Sequence, residues 1–208
     1  MRLLELFSGT KSVSKAVGHL FNEIISLDNL QEFNPTICCD ILSWDYKQYP
    51  PGHFDVIWAS PPCTEYSKMK YISQAPRNLQ LADAIAQRTL EIIEYFNPTK
   101  WFIENPQTGL LKDREFMAFI PYTDVDYCMY SDWGYRKRTR IWTNTDYQGK
   151  TCDKKCGNIH DGIHKSPIMP FKVYNVDKSI AMYRTQNKEF LYRIPERLIQ
   201  ELFAAQAL

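Results

Sequence analysis

The sequence predicts an α/β fold built on a doubly wound, mainly parallel sheet, and three observations carry that prediction. Short apolar runs alternate with longer amphipathic ones. Several short runs end abruptly in a polar or acidic residue. Glycine or proline closes three of those tips, at Gly9, Pro61-Pro62 and Pro106.

Taken in order, residues 3–7 read as a buried strand that Ser8-Gly9-Thr10 turns into a helix over about 11–21, with Val13, Ala16, Val17 and Leu20 on one face. Residues 23–27 form a second strand ending at Asp28-Asn29, and 36–39 a weaker third ending at Asp40. A fourth, 54–59, is stopped by two prolines that cannot extend it. A polar loop over 64–78 leads to a helix over 79–96 and a strand over 100–106. Residues 122–130 and 138–143 read as an antiparallel pair joined through Asp132-Trp133-Gly134. Composition then shifts at 144–170, where Cys, His, Gly, Lys and Asp replace the apolar periodicity. A closing helix begins after Ile194-Pro195, with Leu198, Ile199, Leu202 and Phe203 as its buried stripe. The expected organisation is a main domain over 1–143, a small insert over 144–177, and a C-terminal segment over 178–208 that packs back on the main domain.

At 208 residues the chain is long enough for one substantial core, and 44% hydrophobic residues suit a soluble globule. The net charge of +1 gives no global field that would advertise nucleic acid, which leaves local basic clusters to do so. No run approaches a membrane span and the first residues do not resemble a signal peptide, so an intracellular, membrane-free and monomeric protein is expected. Six cysteines, two of them adjacent, do not form a disulfide-framework pattern.

Among those cysteines, Cys38, Cys39 and Cys128 read as core fillers, because free cysteine is among the most buried residue types. Cys63 differs. It follows a strand tip on a proline-stiffened turn, where open α/β sheets place ligands, and Glu104 stands at the tip of the next apolar run. A thiol and a carboxyl on one rim are a nucleophile with an acid partner. Gly9 supplies a strand, turn and helix of the nucleotide-binding kind. Asp28 is placed to accept from a ribose diol and Asp40 from an adenine amino group, which points to an adenosine-containing cofactor.

Leu6-Phe7-Ser8-Gly9-Thr10, Asp40-Ile41, Ser60-Pro61-Pro62-Cys63 with Tyr66-Ser67, Glu104-Asn105-Pro106 and Arg138-Thr139-Arg140 stand in the order seen in cytosine-5 DNA methyltransferases, which the chain resembles over about 1–143 and its last 30 residues. The resemblance implies a Rossmann-like methyltransferase fold and S-adenosylmethionine held by Phe7, Ser8, Gly9, Thr10, Asp28, Asn29, Asp40, Ile41 and Pro61. It further implies that Cys63 attacks cytosine C6, Glu104 binds the N3/N4 edge, and Arg138 and Arg140 orient the base and favour the thiolate. DNA is the implied partner, with RNA or a free nucleotide, or a catalytically inactive binding module, as the alternatives. Ser67, Lys68, Lys70, Arg77 and Arg136 are the residues expected to meet a nucleic-acid backbone. If 136–140 is a strand, Arg136, Arg138 and Arg140 share a face toward the site and Lys137 points away.

The sequence departs from the family pattern in three places: Lys11-Ser12 stands where glycine is usual, Arg136 where glutamine is, and 183–187 where a Gly-Asn-Ser-like turn is. In place of a large recognition domain lies the short insert, which contains Cys152, Cys156, His160 and His164 as C-x3-C-x3-H-x3-H. Two thiolates and two imidazoles suit tetrahedral zinc, and a short segment without its own core needs such a staple.

Overall fold

The structure, a computed structural model, describes residues 1–71, 76–166, 171–174, 180–183 and 192–208. Among them the main sheet has seven strands: β1 (Arg2–Leu6), β2 (Glu23–Asp28), β3 (Ile37–Cys38), β4 (Val56–Ala59), β5 (Lys100–Pro106), β6 (Tyr122–Asp126) and β7 (Arg138–Thr143). Their spatial order is β3-β2-β1-β4-β5-β7-β6, with β7 antiparallel to both neighbours and the other pairings parallel. The order reverses between β1 and β4, and beside such a switch point the carboxyl ends of parallel strands open a crevice. Gly9 and Cys63 follow those two strands directly.

Both faces of the sheet are covered, which is why its central strands read as continuous apolar runs rather than alternating ones. Helix α2 (Leu79–Phe96) packs Ala82, Ala86, Ile92, Ile93 and Phe96 against Leu4, Leu6, Ile57 and Ile103 on one face. On the other face α1 (Ser12–Val17) and α3 (Glu196–Ala204) pack Val13, Val17, Leu198 and Leu202 with Leu3, Trp58 and Phe102. Phe203 of α3 stacks on Phe102 at 5.3 Å, so the C-terminal helix is keyed into the core of the sheet.

Three elements are shorter than their sequence pattern predicts. The first helix tightens into a 3₁₀ turn (Gly18–Leu20), because glycine is a poor helix former and β2 crowds it; a Cβ at Gly18 would lie 3.3 Å from Ile24. The third strand keeps only two residues at the sheet edge. The sixth stops at Asp126, after which Tyr127–Met129 form a 3₁₀ turn.

Asp126 is fully buried and is held by Arg138 in a fork, with Nε 3.0 Å from Oδ1 and Nη2 2.6 Å from Oδ2. Arg140 grips Asp124 in the same way at 2.8 and 3.0 Å. The two pairs sit directly opposite in the β6/β7 register. Arg138→Met is expected to destabilise the fold by about 3 kcal/mol, since it strands a buried carboxylate. In thermal denaturation that is a fall of roughly 6–10 °C. Adding Asp126→Asn should recover part of it, and equal stability of Arg138→Met and the unaltered chain would refute the role.

Candidate active site

The Cys63 turn is built by backbone constraints rather than by the thiol. Pro61 and Pro62 fix φ and donate no hydrogen bond. The turn is tied to the tip of β5 by Asn105, whose buried Nδ2 donates to the Pro61 carbonyl at 2.8 Å. Behind it, Trp58 Nε1 donates to Ser60 Oγ at 3.0 Å. Cys63 is left half-buried, lining a cleft of about 590 Å³ that also contains Glu104 and the Gly9 turn, a volume usual for small-molecule sites.

Glu104 is 6% exposed and accepts from the Tyr127 hydroxyl at 3.0 Å. Lys137 Nζ stands 3.5 Å from the same Oε1 and 4.9 Å above the Tyr127 ring, so ring and carboxylate together hold the ammonium. Burial pushes the Cys63 thiol up from its ordinary pKa; the Lys137 charge opposes that and the Glu104 charge reinforces it. Burial and Glu104 also push the Tyr127 phenol well up, which keeps it a neutral donor.

The cation at this site is therefore Lys137, and the expectation for Arg138 and Arg140 is corrected. Neither arginine lines the cleft. The reason is strand parity. Glu104 pairs with Ile141, and Tyr127 N–H donates to the Lys137 carbonyl, so 137, 139 and 141 face the Glu104 side while 138 and 140 face away toward Asp126 and Asp124. The predicted alternation is present with the faces exchanged. The rationale that a guanidinium favours the thiolate falls with it, since the opposing charge is an ammonium and burial outweighs it.

The other half of the cleft surrounds the β1 turn. Phe7, Ser8, Gly9, Thr10, Asp28, Asn29 and Pro61, the residues expected to hold the cofactor, all line it. Asp28 is buried and organises the turn, accepting from Gly9 N–H at 2.9 Å and Leu30 N–H at 3.0 Å. Phe7, Gly9 and Lys11 all take left-handed backbone with φ of 57°, 43° and 57°. Lys11 thus adopts the conformation that favours glycine, and its Nζ donates to the Asn34 carbonyl at 2.5 Å. Asp40 and Ile41 do not line the cleft. Asp40 is exposed and accepts from Leu42 N–H at 2.9 Å, whereas Ile41 is 3% exposed within the core.

Several lining residues were not expected from the sequence. Glu5 faces the cleft from β1 and caps α1, accepting from the Val13 and Ser14 N–H groups at 3.2 Å; burial pushes its carboxyl up. Tyr192 and Ile194 enter from the C-terminal segment, anchored where Ile194 N–H donates to Ser12 Oγ at 3.2 Å. An acid alternating with apolar strand residues, as at Glu5, is the one signal that could have been read.

Of the residues expected to meet nucleic acid, Lys68, Arg77 and Arg136 are exposed, and Arg77 Nη2 donates to the Ser67 carbonyl at 2.8 Å. Lys70 pairs with Glu65. Within the surrounding loop 72–75 lies outside the described residues, as does 184–187 of the expected C-terminal turn.

The Cys/His insert also differs from its expected form. Cys128, Cys152, Cys156 and His164 bring one ligand atom each to within 4.8 Å of one another, a set that could hold a metal ion. His160 is absent from it: its side chain is 78% exposed and 3.1 Å from Asp161. The correction follows from a hairpin, β8 (Ile159–His160) and β9 (Ile163–His164), which turns at Asp161-Gly162 with φ of 49° and 74°. That two-residue turn sends His160 outward and His164 inward. Cys128, expected to be a core filler, takes the fourth place.

The chain is 37% identical over 216 residues to a protein described as "Probable DNA (cytosine-5)-methyltransferase" from Frog virus 3 (isolate Goorha), covering 97% of this chain and 98% of that protein. Among solved structures it resembles the Entamoeba histolytica methyltransferase EhMeth, with TM-score 0.50, 18% identity and coverage of 69% of this chain and 52% of that one. It also resembles an E. coli protein described as a "putative DNA modification methyltransferase encoded within prophage", with TM-score 0.52, 12% identity and coverage of 74% and 52%. This chain spans about half the length of those two solved proteins, and the likeness shows the fold. No family model matches the chain.

Proposed function

The chain belongs to the DNA (cytosine-5)-methyltransferase family, and on that premise we propose that it methylates C5 of cytosine in DNA through a covalent adduct with Cys63. The observation that carries this reading is one cleft holding a thiol on a stiffened strand tip, a buried carboxyl with two donors on it, and a glycine turn.

The glycine-turn half fits S-adenosylmethionine. Ser8 Oγ is buried there without a partner among the described residues, Gly9 keeps the floor open, and Asp28 adds a buried acid beside it. When bound, S-adenosylmethionine supplies an electrophilic methyl group. In the other half, Cys63 Sγ adds to cytosine C6 as a thiolate, which makes C5 nucleophilic. Glu104 holds the N3/N4 edge and carries the proton that stabilises the adduct at N3, while Tyr127 and Lys137 fix its carboxyl. After methylation a water takes the C5 proton as the Sγ–C6 bond breaks, N3 returns its proton to Glu104, and the ring and the thiolate are restored. A cytosine in duplex DNA reaches this cleft by flipping out, at a cost of a few kcal/mol. With so small an insert few base edges can be read directly, which supports short recognition sequences.

The test is to incubate the chain and S-adenosylmethionine with 5-fluorocytosine in DNA, in RNA and as free nucleotide, since fluorine at C5 blocks proton loss and traps the adduct. A denaturation-resistant adduct with DNA is expected. An adduct confined to RNA or to nucleotide would overturn the substrate, and none with any of the three would overturn the chemistry.

A further inference from the structure

We propose that Cys128, Cys152, Cys156 and His164 form a closed structural zinc site that pins the insert to the loop carrying Lys137. The ligand set is held in place from two directions. Cys128 lies in the turn directly after β6, 4% exposed, and Cys152 is 6% exposed with its N–H donating to Asp126 at 2.7 Å. Cys156 and His164 come from the insert, where the β8/β9 turn points His164 back toward the sheet.

His164 Nε2 stands 3.3 Å from the sulfur of Cys128, 3.5 Å from that of Cys156 and 3.7 Å from that of Cys152. Around a tetrahedral ion with Zn–S near 2.3 Å and Zn–N near 2.0–2.1 Å, nitrogen–sulfur edges come to about 3.5 Å. Three sulfurs and an imidazole select a soft or borderline metal over magnesium or calcium, and four protein ligands leave no open position, so the site is structural rather than catalytic. Three of the four ligands come from the insert, whose described residues supply no buried member to either core cluster, and the three thiols release their protons on binding.

The site reaches the active centre through the backbone. Asn158, between the ligands, donates to the Cys128 carbonyl at 2.9 Å and the Ser131 carbonyl at 2.8 Å and accepts from Gly134 N–H at 3.0 Å. That binds the whole loop between Tyr127, which touches Glu104, and Lys137, which does also. The inference stands on these contacts and not on the proposed methylation.

Elemental analysis of the full chain purified from zinc-containing medium should give one zinc per chain, and cobalt substitution should give the charge-transfer and d–d bands of a tetrahedral thiolate site. His164→Ala and Cys156→Ser should lose the metal, while His160→Ala keeps it; Cys156 and His164 are only half-buried, so both variants should keep a folded far-ultraviolet spectrum. Metal removal should raise amide exchange over 127–137 and leave α2 unchanged. Zinc-free protein, a Cys152–Cys156 disulfide in its place, retention in His164→Ala, loss in His160→Ala, or unchanged exchange would each overturn the proposal.

Discussion

Cys63→Ala is expected to lower methyl transfer on the order of 10⁴-fold or more, the scale on which removal of a covalent nucleophile acts. It should do so without harming the fold. The turn is held by the Asn105 contact to Pro61, by the two proline rings and by the Trp58–Ser60 bond, none of which involves the thiol. The side chain is half-buried, lines the cleft and belongs to neither core cluster. Cys63→Ser should behave almost alike, since an alcohol at neutral pH offers no comparable anion. Initial rates of labelled methyl incorporation give the first quantity, and calorimetric binding of S-adenosylmethionine gives the second, expected to be unchanged because the glycine-turn half is intact. A Cys63→Ala chain that kept a tenth of the activity would defeat the covalent reading.

Much of the frame was legible because local signals were strong and agreed with tertiary burial. The helix over Leu79–Phe96 has Asn78 accepting from Leu81 N–H as its cap and a sustained apolar stripe, and Lys100–Pro106 ends where proline removes the donor. The Cys63 and Glu104 tips were readable for the same reason. What failed was information carried between strands. Arg138-Thr139-Arg140 reads as a site motif in isolation, and only its pairing with Asp124-Val125-Asp126 decides which way it faces. That acidic pair has the same two-residue period, so opposite charges at matching spacing on adjacent strands were the available signal. Cys128 was missed as a ligand because it is 24 residues upstream of Cys152 and meets it only through the fold. Asp161-Gly162, by contrast, was a local hairpin signal that could have removed His160 from the set.

Lys137→Met is expected to lower methyl transfer roughly 10²-fold at neutral pH, the size that removing one preorganised charge from an active site has. The pH dependence gives the sharper test. Burial already raises the Cys63 pKa and the Glu104 charge raises it further, while the Lys137 ammonium acts in the opposite sense. The proposed reaction needs thiolate, so activity is expected to rise with pH as Cys63 ionises. Without the ammonium the larger of the two lowering influences is gone and only a backbone hydrogen bond opposes the increase in pKa, so the rise in activity moves to higher pH. The deficit should therefore be greatest in mild acid and shrink toward alkaline pH. Lys137→Arg keeps a cation and should restore the position of the rise, though not the full rate, since the flat guanidinium must fit between the Tyr127 ring and Glu104. Arg138→Met and Arg140→Met face the opposite side of the sheet and should leave the rise where it is, even where Arg138→Met lowers the melting temperature. Profiles of kcat/KM for the four variants decide the matter: a rise displaced equally by Arg140→Met, or not at all by Lys137→Met, would return the cationic role to the arginines.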